Sequence, residues 1–208
     1  MPRTGTWALT AVLVFTALAA VGQPFKYGCH YFRTKERPKP SFSGSAKAQI
    51  DETIARSDTF DILHYDIAID VTDYGNARIA ASTTITFTPL LTGLGSIRFD
   101  LFQLSVDSVT NADGPLVFEY DGEILKVLLP TEPLVGTDYD VTVHYHGAPY
   151  RDPTWGGFYF ESDIIYNLGI GLSTIPPNFG KVWYPCFDSF VERATYTYHV
   201  KSANGRAA

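Results

Sequence analysis

From Phe60 onward the chain alternates between apolar and polar positions. Leu63, Tyr65, Ile67, Ile69 and Val71 interleave with His64, Asp66, Ala68 and Asp70. Successive side chains of a strand point to opposite faces, so this period of two predicts a half-buried β-strand. Asp73-Tyr74-Gly75-Asn76 reads as a turn. The next run, 77–88, sets Ile79, Ala81, Thr83, Ile85 and Phe87 on one face and Arg78, Ser82, Thr84, Thr86 and Thr88 on the other. Pro89, which has no N–H for a ladder, is expected to stop it. These two runs predict a long antiparallel pair. Shorter runs follow at 96–101, with Ile97, Phe99 and Leu101 inward, and at 104–109. Residues 116–120 and 123–129 flank Asp121-Gly122, a strong hairpin signal. In 138–146, Tyr139, Val141, Val143 and Tyr145 alternate with Asp140, Thr142, His144 and His146. Seven strands at short intervals, without a βαβ rhythm, predict an all-β fold, an antiparallel sandwich or open barrel.

The flanks read differently. Residues 46–56 (AKAQIDETIAR) predict a short helix with Ser45 as N-cap. After Gly147 the pattern breaks into a Pro/Gly/Trp loop at 149–157 and short aromatic or apolar runs at 158–160 and 164–168. A segment punctuated by Gly169, Gly171, Pro176, Pro177 and Gly180 follows. Irregular, aromatic-rich stretches of this kind pack on a neighbour or line a cleft. Trp183 to Tyr196 (WYPCFDSFVERATY) then reads as a structural corner, in preference to a catalytic one, and feeds a last strand at 194–201. Asn204-Gly205, the preferred two-residue hairpin turn, comes directly afterwards. The expectation is a hairpin whose second strand lies beyond Ala208, which would make the sequence a fragment.

Composition supports a packed core, with 45% hydrophobic and 18% charged residues among 208. It also separates the N-terminus from the fold. Residues 7–21 (WALTAVLVFTALAAV) carry no charge and end in small residues, so 1–22 reads as a signal peptide. Secretion, to the periplasm, cell envelope or exterior, is the expected localisation. Residues 23–56 form a basic tether with Pro and Ser, ending in the short helix. Lys26, Arg33, Lys35, Arg37 and Lys39 stand there against Glu36. A charge run is usually solvated, and a weak contact with an anionic envelope is the alternative. Residues 57–208 are expected to be one β-domain. The formal net charge of −6 excludes a nucleic-acid partner, whose phosphates require a basic face.

Candidate chemistry is sparse. His144 and His146 share a strand face and could share a metal, but no acid or cysteine at ligand spacing completes a site. They are read as an exposed strand face. His64, Asp66 and Asp70 are read as ordinary sheet surface. Gly156-Gly157 and Gly169-Ile170-Gly171 lack the strand–turn–helix context of a phosphate loop, and Ser173 and Ser189 lie in no G-x-S-x-G elbow. Cys29 and Cys186 lack metal spacing. Cys186 is expected to be a small buried hydrophobe, whereas Cys29 sits in the tether without a lipoprotein box. No catalytic, substrate-binding or metal-ligating residue is assigned. The structural motif is Trp183, Pro185, Cys186, Phe187 and Asp188.

That motif carries a resemblance. Trp183-Tyr184-Pro185-Cys186-Phe187-Asp188, followed by Glu192-Arg193-Ala194-Thr195-Tyr196, resembles the end of the N-terminal domain of aminopeptidase N-like zinc metallopeptidases. Leu63 to Ile67 is similar to that family's opening strand. Val143 to Gly147 is similar to its strand ending in Tyr-x-Gly, and Gly157-Phe158-Tyr159 to its Gly-aromatic-Tyr segment. The similarity spans about 57–205. It implies an antiparallel β-sandwich or saddle preceding a thermolysin-like catalytic domain. That domain would supply the zinc ligands, the general-base glutamate and the Gly-x-Met-Glu-Asn loop, and zinc-activated water would attack the N-terminal peptide bond. The sequence has no H-E-x-x-H, so zinc is expected in the catalytic domain and no cofactor here. Where the family often has Thr-Gln-x-Glu-Pro, this sequence has Ser173-Thr174-Ile175-Pro176-Pro177, which puts Thr174 at the amine-binding position. Ser189-Phe190 replaces the Glu-Pro that usually follows the box. The implied role is a non-catalytic domain packed on its catalytic partner, with apolar surface open around Phe187, Phe190 and the last strand. The alternative is a standalone secreted β-sandwich for binding or adhesion, using the aromatic loops 155–160 and 179–184.

Overall fold

In the computed structural model, residues 48, 51–52, 55–162, 164–174, 177–189 and 192–203 are described. The leader at 1–22, the tether with Cys29, Phe190 and the Asn204-Gly205 turn lie outside these residues. Helical residues at 48, 51–52 and 55–57 match the expected helix, and their last turn runs directly into the first strand.

Eleven strands are found among the described residues. The long ones are β1 (Phe60–Asp70), β2 (Ile79–Pro89) and β8 (Tyr139–Gly147), where the alternation is strongest. Between β2 and β8 come β3 (Ser96–Asp100), β4 (Ser105–Asn111), β5 (Gly114–Pro115), β6 (Phe118–Tyr120) and β7 (Ile124–Leu128). After β8 come β9 (Gly156–Glu161), β10 (Ile164–Gly171) and β11 (Thr195–Lys201). They form a six-stranded sheet in the order β11-β1-β2-β8-β4-β5, a three-stranded sheet β3-β7-β6 and a two-stranded ribbon β10-β9.

The expected β1–β2 pair is present and antiparallel, with Tyr65 opposite Ile85 and Ile67 opposite Thr83. Tyr65, Ile67, Ile69, Ile79, Ile85, Phe87, Val141, Val143 and Tyr145 are buried on the inward face. Ile97, Phe99, Leu125 and Val127 of the smaller sheet join the same core. Burying each such side chain is worth about 1.5–3 kcal/mol, so the alternating pattern selects the face that turns inward. Thr83 is tolerated there because its hydroxyl meets that of Tyr145 at 3.0 Å. The Asp121-Gly122 hairpin forms as read. Asp121 accepts the N–H groups of Glu123 and Ile124 at 2.8 and 2.7 Å, and Gly122 takes φ +96°, which a residue without Cβ adopts freely.

Four details differ from the expectation. A register shift between Ile62 and His64 makes Phe60 and Ile62 core residues and leaves Leu63 only half-buried. A bulge inserts one residue, so simple alternation fails across it. Pro89 is the last paired residue of β2 and is buried opposite Phe60. The runs at 158–160 and 164–168 pair with each other as β9 and β10. Finally, β11 runs parallel to β1, with Tyr196 beside Tyr65, Tyr198 beside Ile67 and Val200 beside Ile69. The fold is therefore antiparallel except at this pair.

The clasp and the candidate functional surfaces

The segment 183–188 is held from three directions. Asp100 and Cys186 form an antiparallel bridge, with N···O distances of 2.7 and 3.0 Å. The Phe187 N–H donates to the Tyr65 hydroxyl at 2.9 Å. The Asp188 N–H donates to the Asp100 carboxylate at 3.0 Å. Asp188 in turn accepts the N–H groups of Gly180 and Lys181 at 3.2 and 3.3 Å, and its carbonyl accepts the Asn178 amide at 3.0 Å. Arg56, in the last helical turn, donates to both Asp100 oxygens at 2.9 Å. Its guanidinium also lies 4.9 Å from the centre of the Phe187 ring. Helix, first strand and corner are thus joined at one polar knot inside an aromatic shell.

The electrostatics follow from that enclosure. Burial pushes the Asp188 carboxyl up to about 6, outweighing the N–H donors beside it, and the Asp100 charge adds to the rise. Burial also drives the Cys186 thiol well above its ordinary range, with Asp188 and Asp100 adding to it. A thiol held protonated is a poor nucleophile and a poor metal ligand, so Cys186 packs as the small hydrophobe expected. Pro185 and Cys186 are buried, and so is Phe187, against the expectation that it would be exposed. Phe60 meets Phe187 edge-on at 5.7 Å, and Arg56 covers the other approach. Trp183 is half-buried, and its indole N–H has no acceptor among the described residues.

Beside the clasp a cleft of about 310 Å³ is lined by Asp100, Phe102, Glu123, Tyr150, Thr174 and Lys181, among others. Thr174 therefore does border a concave site, and its hydroxyl donates to the Gly171 carbonyl at 3.4 Å. The loop before it is organised by Asp152, which accepts the N–H groups of Thr154, Trp155 and Ser173 at 2.8–2.9 Å. Burial raises its carboxyl, but these donors outweigh that and hold it below the usual carboxylate range. Sequence spacing missed Asp152 because its partners lie up to 21 residues away.

The four described histidines all lie on the outward face of the large sheet. His64 Nδ1 meets the Thr195 hydroxyl at 2.7 Å, His199 meets Asp66 at 3.1 Å, and His146 meets Asp107 at 2.9 Å. His144 is exposed. Among the described residues no group of three His, Cys, Asp or Glu side chains stands ready to hold a metal. No step of a zinc-dependent reaction is assigned to the described residues. The aromatic loops considered for adhesion turn inward. Phe158, Tyr159, Phe179, Val182 and Tyr184 are buried, and Trp155 alone of the large side chains in those loops is exposed.

The fold recurs in solved structures. An M1 zinc metallopeptidase from Deinococcus radiodurans, bound to a Tyr-Ser-Ala substrate, matches 69% of this chain and 33% of its own at 22% identity, with a TM-score of 0.61. Yeast leukotriene A4 hydrolase in complex with bestatin matches 85% of this chain and 27% of its own at 14% identity, with a TM-score of 0.53. The fold is the β-domain fold of M1 zinc metallopeptidases. No protein-family model matches the chain, and no curated protein matches it by sequence. The chain spans about a third of the length of the Deinococcus structure and less of the yeast one. Within this M1-type β-domain the clasp ties the start of the first strand to the approach of the last. That explains why the residues that signalled the fold are structural.

Proposed function

We propose that the chain is the non-catalytic β-domain of a secreted zinc metallopeptidase of the aminopeptidase type. It packs on the catalytic domain and forms one wall of the substrate cleft. The carrying observation is the state of β11. Its parallel register puts Tyr196, Tyr198 and Val200 on the same side as Tyr65, Ile67 and Ile69, the core side of the sheet. Yet the three β11 residues are 44, 54 and 44% exposed. A core face that continues into solvent is a surface built for cover, and contiguous apolar surface of this kind marks an interaction site. The likeness to M1 structures supports a catalytic domain of the same protein as the larger partner.

In this reading peptide hydrolysis, zinc and the general base belong to that catalytic domain. Thr174 faces the cleft with a hydroxyl and no charge, so it can accept a hydrogen bond from a substrate amine but cannot ion-pair with it. The test is to recover the natural reading frame around this sequence. A frame encoding H-E-x-x-H downstream of the β-domain is expected, and a frame encoding nothing further would overturn the proposal. Purified chain incubated with zinc and an aminoacyl reporter is expected to give no turnover.

A further inference from the structure

His144 and His146 lack a nearby acid in the sequence, but the topology supplies one. Strand β4 lies beside β8, and its pairing slips between Val106 and Ser108. Val106 and Val109 keep to the core side, so the slip leaves Asp107 as an extra residue on the outward side. Its carboxylate reaches His146 Nδ1 at 2.9 Å. A carboxylate only accepts, so Nδ1 carries the proton and the Nε2 lone pair is left free. A carboxylate that fixes the tautomer and orientation of an imidazole is the arrangement that surrounds metal-binding histidines.

The second imidazole is placed by the strand itself. His144 lies two residues away on the same face, is exposed, and has no hydrogen-bond or ion-pair partner among the described residues. Nothing bulky crowds either ring from the adjoining strands. His144 is flanked by Ser82 and Ser108, and His146 by Ala80 and Ser105. On the β1 side of His144, Ala80 and Ser82 border an open groove of about 550 Å³ that runs past Ala68 and Asp70 to His199 and Lys201. That leaves room for water beside His144. The other two described histidines are differently engaged. His199 meets Asp66 through Nε2, and His64 meets a threonine hydroxyl.

We propose that His144 and His146 bind one late divalent transition-metal ion, of the Ni²⁺, Cu²⁺ or Zn²⁺ class, with Asp107 orienting His146 and water completing the coordination. Two imidazoles with no thiolate suit these ions rather than Mg²⁺ or Ca²⁺. The site needs only exposed side chains to turn, and it is independent of the peptidase reading.

The test is calorimetric titration of the EDTA-stripped full chain with Ni²⁺, Cu²⁺ and Zn²⁺ at pH 7.5. One equivalent of at least one of these ions is expected to bind. His144→Gln and His146→Gln should each lower affinity at least about tenfold, since each removes one of two ligands. Asp107→Asn should lower it about 10- to 100-fold. His64→Gln and His199→Gln should leave it unchanged. Circular dichroism melts check that the variants fold. No binding of any of the three ions would overturn the site. So would binding that survives the double His144→Gln/His146→Gln change or falls equally with His199→Gln, or Asp107→Asn at wild-type affinity.

Discussion

The hydroxyl of Tyr65 accepts the backbone N–H of Phe187 at 2.9 Å, across 122 residues of chain. The contact is buried, and Tyr65 also stacks on Tyr196, so one side chain touches the clasp and the last strand together. Tyr65→Phe keeps the ring and deletes the acceptor. A buried N–H left without a partner costs about 1–3 kcal/mol. The expected result is a loss of that size in urea denaturation with the m-value unchanged.

Arg56 and Asp100 form the second fastening. Both side chains are largely buried, and the two hydrogen bonds are each 2.9 Å. Breaking a buried pair from one side strands the other charge and costs about 3–5 kcal/mol, more than the pair contributes as a unit. Arg56→Met is therefore expected to destabilise by about 3 kcal/mol. Adding Asp100→Asn to it should cost less than the sum of the two single changes. A double-mutant cycle measured by chemical denaturation checks both statements.

These contacts mark the limit of what the pattern of residues reveals. The strands β1, β2 and β8 are legible because half-burial forces a period of two, and Ile67, Ile85 and Val143 obey it. The Asp121-Gly122 hairpin is legible because its turn chemistry is local. Leu63 is misread because a bulge is a pairing event between strands, with no signature in one strand alone. The parallel partner of β11 is about 130 residues away, and neither edge of β1 announces which strand it takes. Phe187 reads as exposed until Arg56 and Phe60 are seen to cover it. Asp107 stands 39 residues before His146, so only the sheet register brings the two together.

The open face of β11 has a consequence for the isolated chain. Tyr196 and Tyr198 lie nearly parallel at 5.9 Å, and Val200 extends the same apolar row. Such surface should bind a hydrophobic dye, and the edge of β11, unpaired among the described residues, invites self-association. Tyr198→Ser with Val200→Thr is expected to reduce anilinonaphthalene sulfonate fluorescence severalfold while the melting temperature shifts little, since both side chains are about half exposed. Dye binding unchanged by the double substitution would remove the main support for a packing face on β11.

Asp188 predicts how stability depends on pH. Its carboxyl is raised to about 6 in the folded protein, first by burial, from an ordinary value of 3.8. Between these values the native state holds a proton that the unfolded chain has lost. Its contribution is therefore fully present below pH 4 and disappears as pH rises through 6. The size is bounded at about 3 kcal/mol by the shift. Asp70 acts oppositely and in a different window. Its hydrogen bonds from Lys201 and Thr72 lower it to about 2, so its contribution is present above pH 4 and lost as pH falls towards 2. Asp188→Asn removes the first titration without touching the second. The free energy of unfolding of the native sequence, minus that of Asp188→Asn, is expected to fall as pH rises from 4 to 6.5 and to stay flat from 4 down to 2. Urea denaturation at half-unit pH steps measures it. A difference that rises with pH instead would mean that the N–H groups of Gly180 and Lys181 hold the charged carboxylate more strongly than burial opposes it.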